Sequence, residues 1–116
     1  QPMPSRQSAD RFDFAPVATA IGAAATRVGA VVDTLGMTWL YGFVAGGLPL
    51  TVRVRQSSDG VTFETNTVIA TAVDPVSGSN VASWKIAVVG IFARVDVVNA
   101  GGATTLSLVS CARGWE

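Results

Sequence analysis

Asp59 and Glu64 flank one turn. Two carboxylates held close together are what glycoside hydrolysis uses, one as acid and one as base or nucleophile. A second reading of the same residues needs no chemistry: Asp59 is a turn maker and Glu64 a solvated strand charge. The rest of the sequence favours that second reading. Histidine is absent, which removes Ser-His-Asp and Cys-His nucleophile pairs, histidine metal sites and the commonest general base. Gly46-Gly47 and Gly101-Gly102 lack the Lys-Ser/Thr and the following helix of a phosphate cradle. Loops with Asp59 or Asp74 offer one carboxylate each, thin for a calcium ion that takes six to eight oxygens. The expectation is a protein that is not an enzyme, with no catalytic residue, no cofactor and no metal site.

The aromatic side chains are the other candidates for function. Exposed aromatic rings on a sheet stack against sugars, whereas Trp39 and Trp84 lie inside apolar runs and are expected in the core. Trp115, after Gly114, is the tryptophan expected to meet another subunit. Cys111 has no second cysteine to pair with and is expected to be a small buried hydrophobe.

These residues must be positioned by strands. Leu50 to Phe63, LTVRVRQSSDGVTF, alternates Val52 and Val54 with Arg53 and Arg55, then breaks at Ser57-Ser58-Asp59-Gly60. Asp-Gly is a strong turn signal, because glycine takes positive φ freely and Asp can bond its own backbone. The stretch predicts a β-hairpin, with strand resuming at Val61 to Phe63 and continuing from Thr65 to Val73. Arg11-Phe12-Asp13-Phe14 predicts a first strand with both phenylalanines on one face, and Pro16 suits a sheet edge. Residues 17–30 favour strand and turn, with a short helical turn as the alternative, and Val28 to Leu35 predicts another strand.

Further strands are predicted over Met37 to Ala45 and Val81 to Val89, the latter with Trp84, Ile86 and Val88 on one face. Ile91 to Asn99 follows, with Ala93, Val95 and Val97 inward and Arg94 and Asp96 outward. Ala103 to Ala112 is the last, with Leu106 and Leu108 inward. Short strands separated by Gly, Pro, Asn, Asp and Ser, without helical periods, predict one all-β domain: a single-domain antiparallel β-sandwich or jelly roll over residues 12–116. Residues 1–11, with Pro2 and Pro4, are expected to form an extended N-terminal arm.

The chain has 116 residues, 49% apolar and 14% charged, with no formal net charge. The charged fraction is well below the roughly 25% of an average soluble domain, so apolar surface is expected to be hidden in a subunit interface. Lys85 is the one lysine and there is no basic run, which argues against nucleic acid. No apolar run reaches the roughly 18 residues of a membrane helix, and the polar N-terminus has no signal-peptide pattern.

Two resemblances rest on these motifs. Ser57, Asp59, Gly60, Thr62 and Phe63, followed by Arg94, Val95, Val97, Asn99 and Gly101, resemble small β-sandwich structural proteins of tailed phages. In these, a strand and S-x-DG-x-T-F/W turn precede an R-V-x-V-x-N-x-G hairpin. That resemblance implies a capsid decoration (cement) protein on the virion surface, made in the host cytoplasm. It implies the major capsid protein as partner and a homotrimer as assembly. The same turn is similar to that of discoidin-like galactose-binding domains, although Phe63 replaces their usual Trp. The alternative function is therefore a receptor- or glycan-binding module of a phage tail or head fibre.

Overall fold

The computed structural model describes residues 9–15 and 18–115. Among the described residues there is no helix, so none is long and apolar enough to cross a membrane. The expected arm falls mainly on residues 1–8, and these, with Pro16 and Glu116, lie outside the described residues.

Among the described residues, eleven strands form two antiparallel sheets packed face to face, the expected sandwich. In chain order they are β1 Ala9–Ala15, β2 Thr19–Ile21, β3 Thr26–Arg27, β4 Val32–Asp33, β5 Trp39–Gly46 and β6 Thr51–Ser57. Then come β7 Glu64–Ala70, β8 Ala72–Val73, β9 Asn80–Ala87, β10 Phe92–Val98 and β11 Thr104–Gly114. One sheet, A, runs β8-β9-β5-β11, and β1 and β2 share the far side of β11. The other, B, runs β7-β6-β10, and β3 and β4 share the far side of β10.

Alternation explains the core. Leu40 and Val44 of β5, Val52 and Val54 of β6, Val95 and Val97 of β10, and Val109 and Cys111 of β11 point between the sheets and are fully buried. Each such aliphatic side chain contributes about 1.5–3 kcal/mol on burial. Trp84, Ile86 and Val88 line the same interior from β9 and its end, as their spacing predicts. Trp84 fits because its strand partner is Gly42: a Cβ there would sit 1.8 Å from the indole.

The hairpin stands as predicted, with β6 and β7 paired through the Asp59-Gly60 turn. Several details depart from simple alternation. Val61 to Phe63 is loop, and strand resumes only at Glu64, because Asp59 captures the backbone at Val61 and Thr62. Of the strand expected over Val28–Leu35 only β4 (Val32–Asp33) forms, because residues 28–31 swing out around Val95 and Asp96. A register shift between Arg11 and Asp13 puts Phe12 against the core while Phe14 is exposed, so the two phenylalanines do not share a face. A second shift between Leu106 and Leu108 passes the inward role from Leu108 to Val109. Residues 17–30 contain β2, a turn and β3, as the strand-and-turn reading requires.

Polar contacts tie the sheets together at one edge. Asp13, on the inner side of β1, accepts two hydrogen bonds from the Arg27 guanidinium on β3, at 2.8 and 2.9 Å. It also accepts one from the Ala30 amide. Gly29 passes so close that a Cβ would lie 2.7 Å from the Asp13 carboxylate and 2.2 Å from the Val95 carbonyl. Behind it, buried Asp96 accepts from both Arg94 nitrogens at 3.0 Å and from the Gly29 amide, with Arg55 at 3.7 Å. The outward position expected for Asp96 is right, but its carboxylate is covered rather than solvated.

Removing one partner of a buried ion pair strands the other charge, typically a loss of about 3–5 kcal/mol. Arg27 keeps 26% side-chain exposure, so Asp13→Ala is expected to lose less, about 2–3 kcal/mol. A lower urea midpoint at unchanged slope would bear this out; a midpoint equal to the parent's would refute it.

Candidate interaction surfaces

The Asp59 loop is the place where catalysis was conceivable. Ser57, Asp59, Thr62 and Glu64 do share a concavity of about 460 Å3 with Gln56, Asn66 and Val89. Three of its polar side chains, Asp59, Ser57 and Gln56, are engaged in hydrogen bonds within the protein, while Glu64 is exposed. Asp59 Oδ1 accepts from the Ser57 hydroxyl at 2.8 Å, the Val61 amide at 2.8 Å and the Thr62 amide at 2.7 Å. Ser57 Oγ in turn accepts from the Asp59 and Gly60 amides, and Gly60 takes φ 77°, the left-handed conformation that glycine enters freely. The Thr62 and Val61 amides, then Ser57, lower the Asp59 carboxylate to about 2. A carboxylate held ionised this firmly is a poor proton donor at neutral pH. Among the described residues no group of three or more Cys, Asp or Glu side chains could hold a metal ion.

Gln56, which spacing alone did not single out, organises the same end of the sandwich. Its buried amide oxygen accepts from the Val89 and Gly90 amides at 2.8 and 2.9 Å, and its Nε2 donates to the Ala87 carbonyl at 3.1 Å. Buried Thr34 donates its hydroxyl to the Gly90 carbonyl, and its amide to the Ile91 carbonyl. The Ile91 amide donates to the Ser57 carbonyl. Loops 34–38, 58–63 and 88–91 are therefore fastened to one another. Their tips are apolar: Leu35 is 70% exposed, Val61 84% and Val89 73%, with Ile91 and Trp115 nearby and also exposed. Trp115 joins this end through its carbonyl, which accepts from the Thr38 hydroxyl. This clustering carries no sequence signature, because the three loops are far apart along the chain.

The outer face of sheet A is the second surface. Trp39 belongs to it and not to the core, contrary to expectation: Leu40 and Val44 are the inward residues of β5, so Trp39, Tyr41 and Phe43 point out. Trp84 does pack in the core. In sheet B, Arg55 and Arg94 are engaged with Asp96, and Arg53 is exposed. Cys111 is fully buried, and burial pushes its thiol up to about 12.

No protein-family model matches the chain, and no curated protein matches it in sequence. Its fold is similar to that of three solved structures. The PBSX exported protein XepA superposes with a TM-score of 0.67 at 14% identity, over 91% of this chain and 36% of XepA. A Bacillus endospore appendage protein, from a family of disulfide-linked pili, gives 0.51 at 18% identity, over 98% of this chain and 97% of the other. A 4-O-methyl-α-glucuronidase with specificity for decorated arabinogalactans gives 0.53 at 14% identity, over 96% of this chain but 18% of the enzyme. The chain thus spans about a third of XepA and less than a fifth of the glucuronidase. At these identities the likeness is one of fold.

The lowered Asp59 pKa fixes the sign of one pH effect. A carboxylate lower in the folded than the unfolded state stabilises above its unfolded pKa of about 3.9 and loses that effect as pH falls toward 2. Asp59→Asn keeps an acceptor oxygen without the charge. Its melting temperature is expected to fall less steeply than the parent's between about pH 4 and 2; parallel curves would show that Asp59 does not fasten the loop.

Proposed function

We propose that the chain is a non-enzymatic structural module of a phage particle. In its specific form it is a capsid decoration protein that seats on the outer lattice of the major capsid protein and works as a homotrimer. One observation carries this reading: Leu35, Val61, Val89, Ile91 and Trp115 stand exposed on loops locked together at one end of a rigid sandwich. An exposed apolar cluster held in fixed shape suits a permanent contact, because little conformational entropy is lost on docking. The low charge supports the same view. The fold shared with a phage-associated exported protein and with a spore appendage subunit fits a building-block role. A specific seat on a lattice needs about 1,000 Å2 or more of buried area.

Cosedimentation with expanded heads of the phage that encodes the chain tests the proposal. The chain is expected to pellet with heads and to raise their melting temperature. Val61→Ser with Val89→Ser is expected to weaken binding at least tenfold, since each exposed valine contributes on the order of 1.5 kcal/mol when buried. A chain that stays monomeric in the supernatant refutes the reading.

A further inference from the structure

The outer face of sheet A has a composition that the loop end does not. Strand register places Lys85 of β9, Tyr41 of β5, Ala112 of β11 and Arg11 of β1 in one cross-strand row. Ser83, Phe43, Ser110 and Phe14 form the next row on the same strands. Between the rows lies a shallow groove of about 330 Å3, lined by Tyr41, Phe43, Ser110 and Ala112 together with Gly42 and Trp84. Phe43 and Phe14 are 39% and 45% exposed.

Each end of the groove carries a cation held in place by aromatic rings. Lys85 Nζ lies 4.5 Å from the Trp39 ring centroid and 5.8 Å from that of Tyr41. The Arg11 guanidinium lies 3.9 Å above the Phe14 ring. With neighbouring strands about 4.8 Å apart, the three steps from β9 to β1 separate the two backbones by about 14 Å. Among the described residues, neither row contains a carboxylate.

We propose that this groove binds an acidic glycan. Pyranose rings present an apolar C–H face and a hydroxyl edge together, and the groove offers both complements: Phe43 and Tyr41 as apolar walls, and Ser83 and Ser110 as hydroxyl partners. Lys85 and Arg11 meet negative groups at its two ends. A cation on each flank of the groove suits a polymer that carries repeated carboxylate or sulfate groups. Nucleic acid, with a phosphate every 3.4 Å or so along each strand, calls for a denser line of basic residues. The site is on a different face from the lattice-docking loops, so it stands or falls independently of them.

A binding panel of polygalacturonate, alginate, hyaluronan, heparan sulfate and polysialic acid, with neutral galactan and oligo-dT as controls, tests the proposal. The intact chain is expected to bind one or more of the acidic polysaccharides, more weakly as salt rises, and to ignore galactan. Phe43→Ala, Lys85→Gln and Arg11→Gln each point their change outward. Each is expected to weaken that binding about tenfold or more at unchanged melting temperature. The proposal is overturned by no binding to any of the five at millimolar sugar, by equal binding of galactan, by tighter binding of oligo-dT, or by variants that bind as the parent does. Self-association abolished by Phe43→Ala overturns it as well, since a second copy would then be the occupant of this face.

Discussion

The ion pair between Asp13 and Arg27 joins the two sheets at the edge formed by β1 and β3. β1 and β3 are edge strands, and β3 is only two residues long, too short to hold its place by ladder bonds alone. A charge-assisted, two-bond contact fixes distance and orientation together. It holds the β3 edge of sheet B against sheet A, and residues 28–31 are threaded past it. The threading works because Gly29 has no side chain to strike the Asp13 carboxylate or the Val95 carbonyl. In this closed corner Asp96, with Arg94 and the Gly29 amide around it, is satisfied although buried. Buried carboxylates are tolerated only when paired in this way.

At the loop end of the sandwich the fastening is neutral. Gln56 and Thr34 both bond the backbone of residues 87–91, and the Ile91 amide in turn bonds the Ser57 carbonyl at the root of loop 58–63. A glutamine placed inward between sheets would be costly unless its donors and acceptors were used; here the carbonyl and the amide both are. Buried Phe63 and core-packed Val88 anchor loops 58–63 and 88–91 as well, while Leu35, Val61 and Val89 at the loop tips face outward.

The sandwich and its hairpin were legible because their signals are local. Alternation in VRVR and ARVDV sets the faces of β6 and β10, and Asp59-Gly60 sets the turn between β6 and β7. What alternation misplaced was decided elsewhere. Leu108 and Phe14 lost their expected faces to register shifts, which depend on the partner strand. Trp39 was misread because hydrophobicity was weighed above parity: one position from Leu40 on the same strand, it had to point the other way. Gln56 and Thr34 looked like ordinary polar residues, since their partners are 31 to 56 positions away. The assignment of Asp59 to turn making, by contrast, needed only its neighbours.

Asp59 is taken up in fastening its own loop. A sandwich has two faces and two ends, and here they differ in kind. Sheet B engages Arg55 and Arg94 with Asp96, and Arg27 with Asp13. The loop end presents aliphatic tips, suited to a shape-matched protein contact. The outer face of sheet A combines aromatic rings, hydroxyls and two cations, which suits a hydrated, charged polymer better than a dry interface. Because strand parity separates that face from the core, and hydrogen bonds separate the loop tips from the strands, either surface can change its side chains without disturbing Asp13, Arg27 or the valine core. The fold can therefore hold a module in place by its end while its broad face stays free to meet something else.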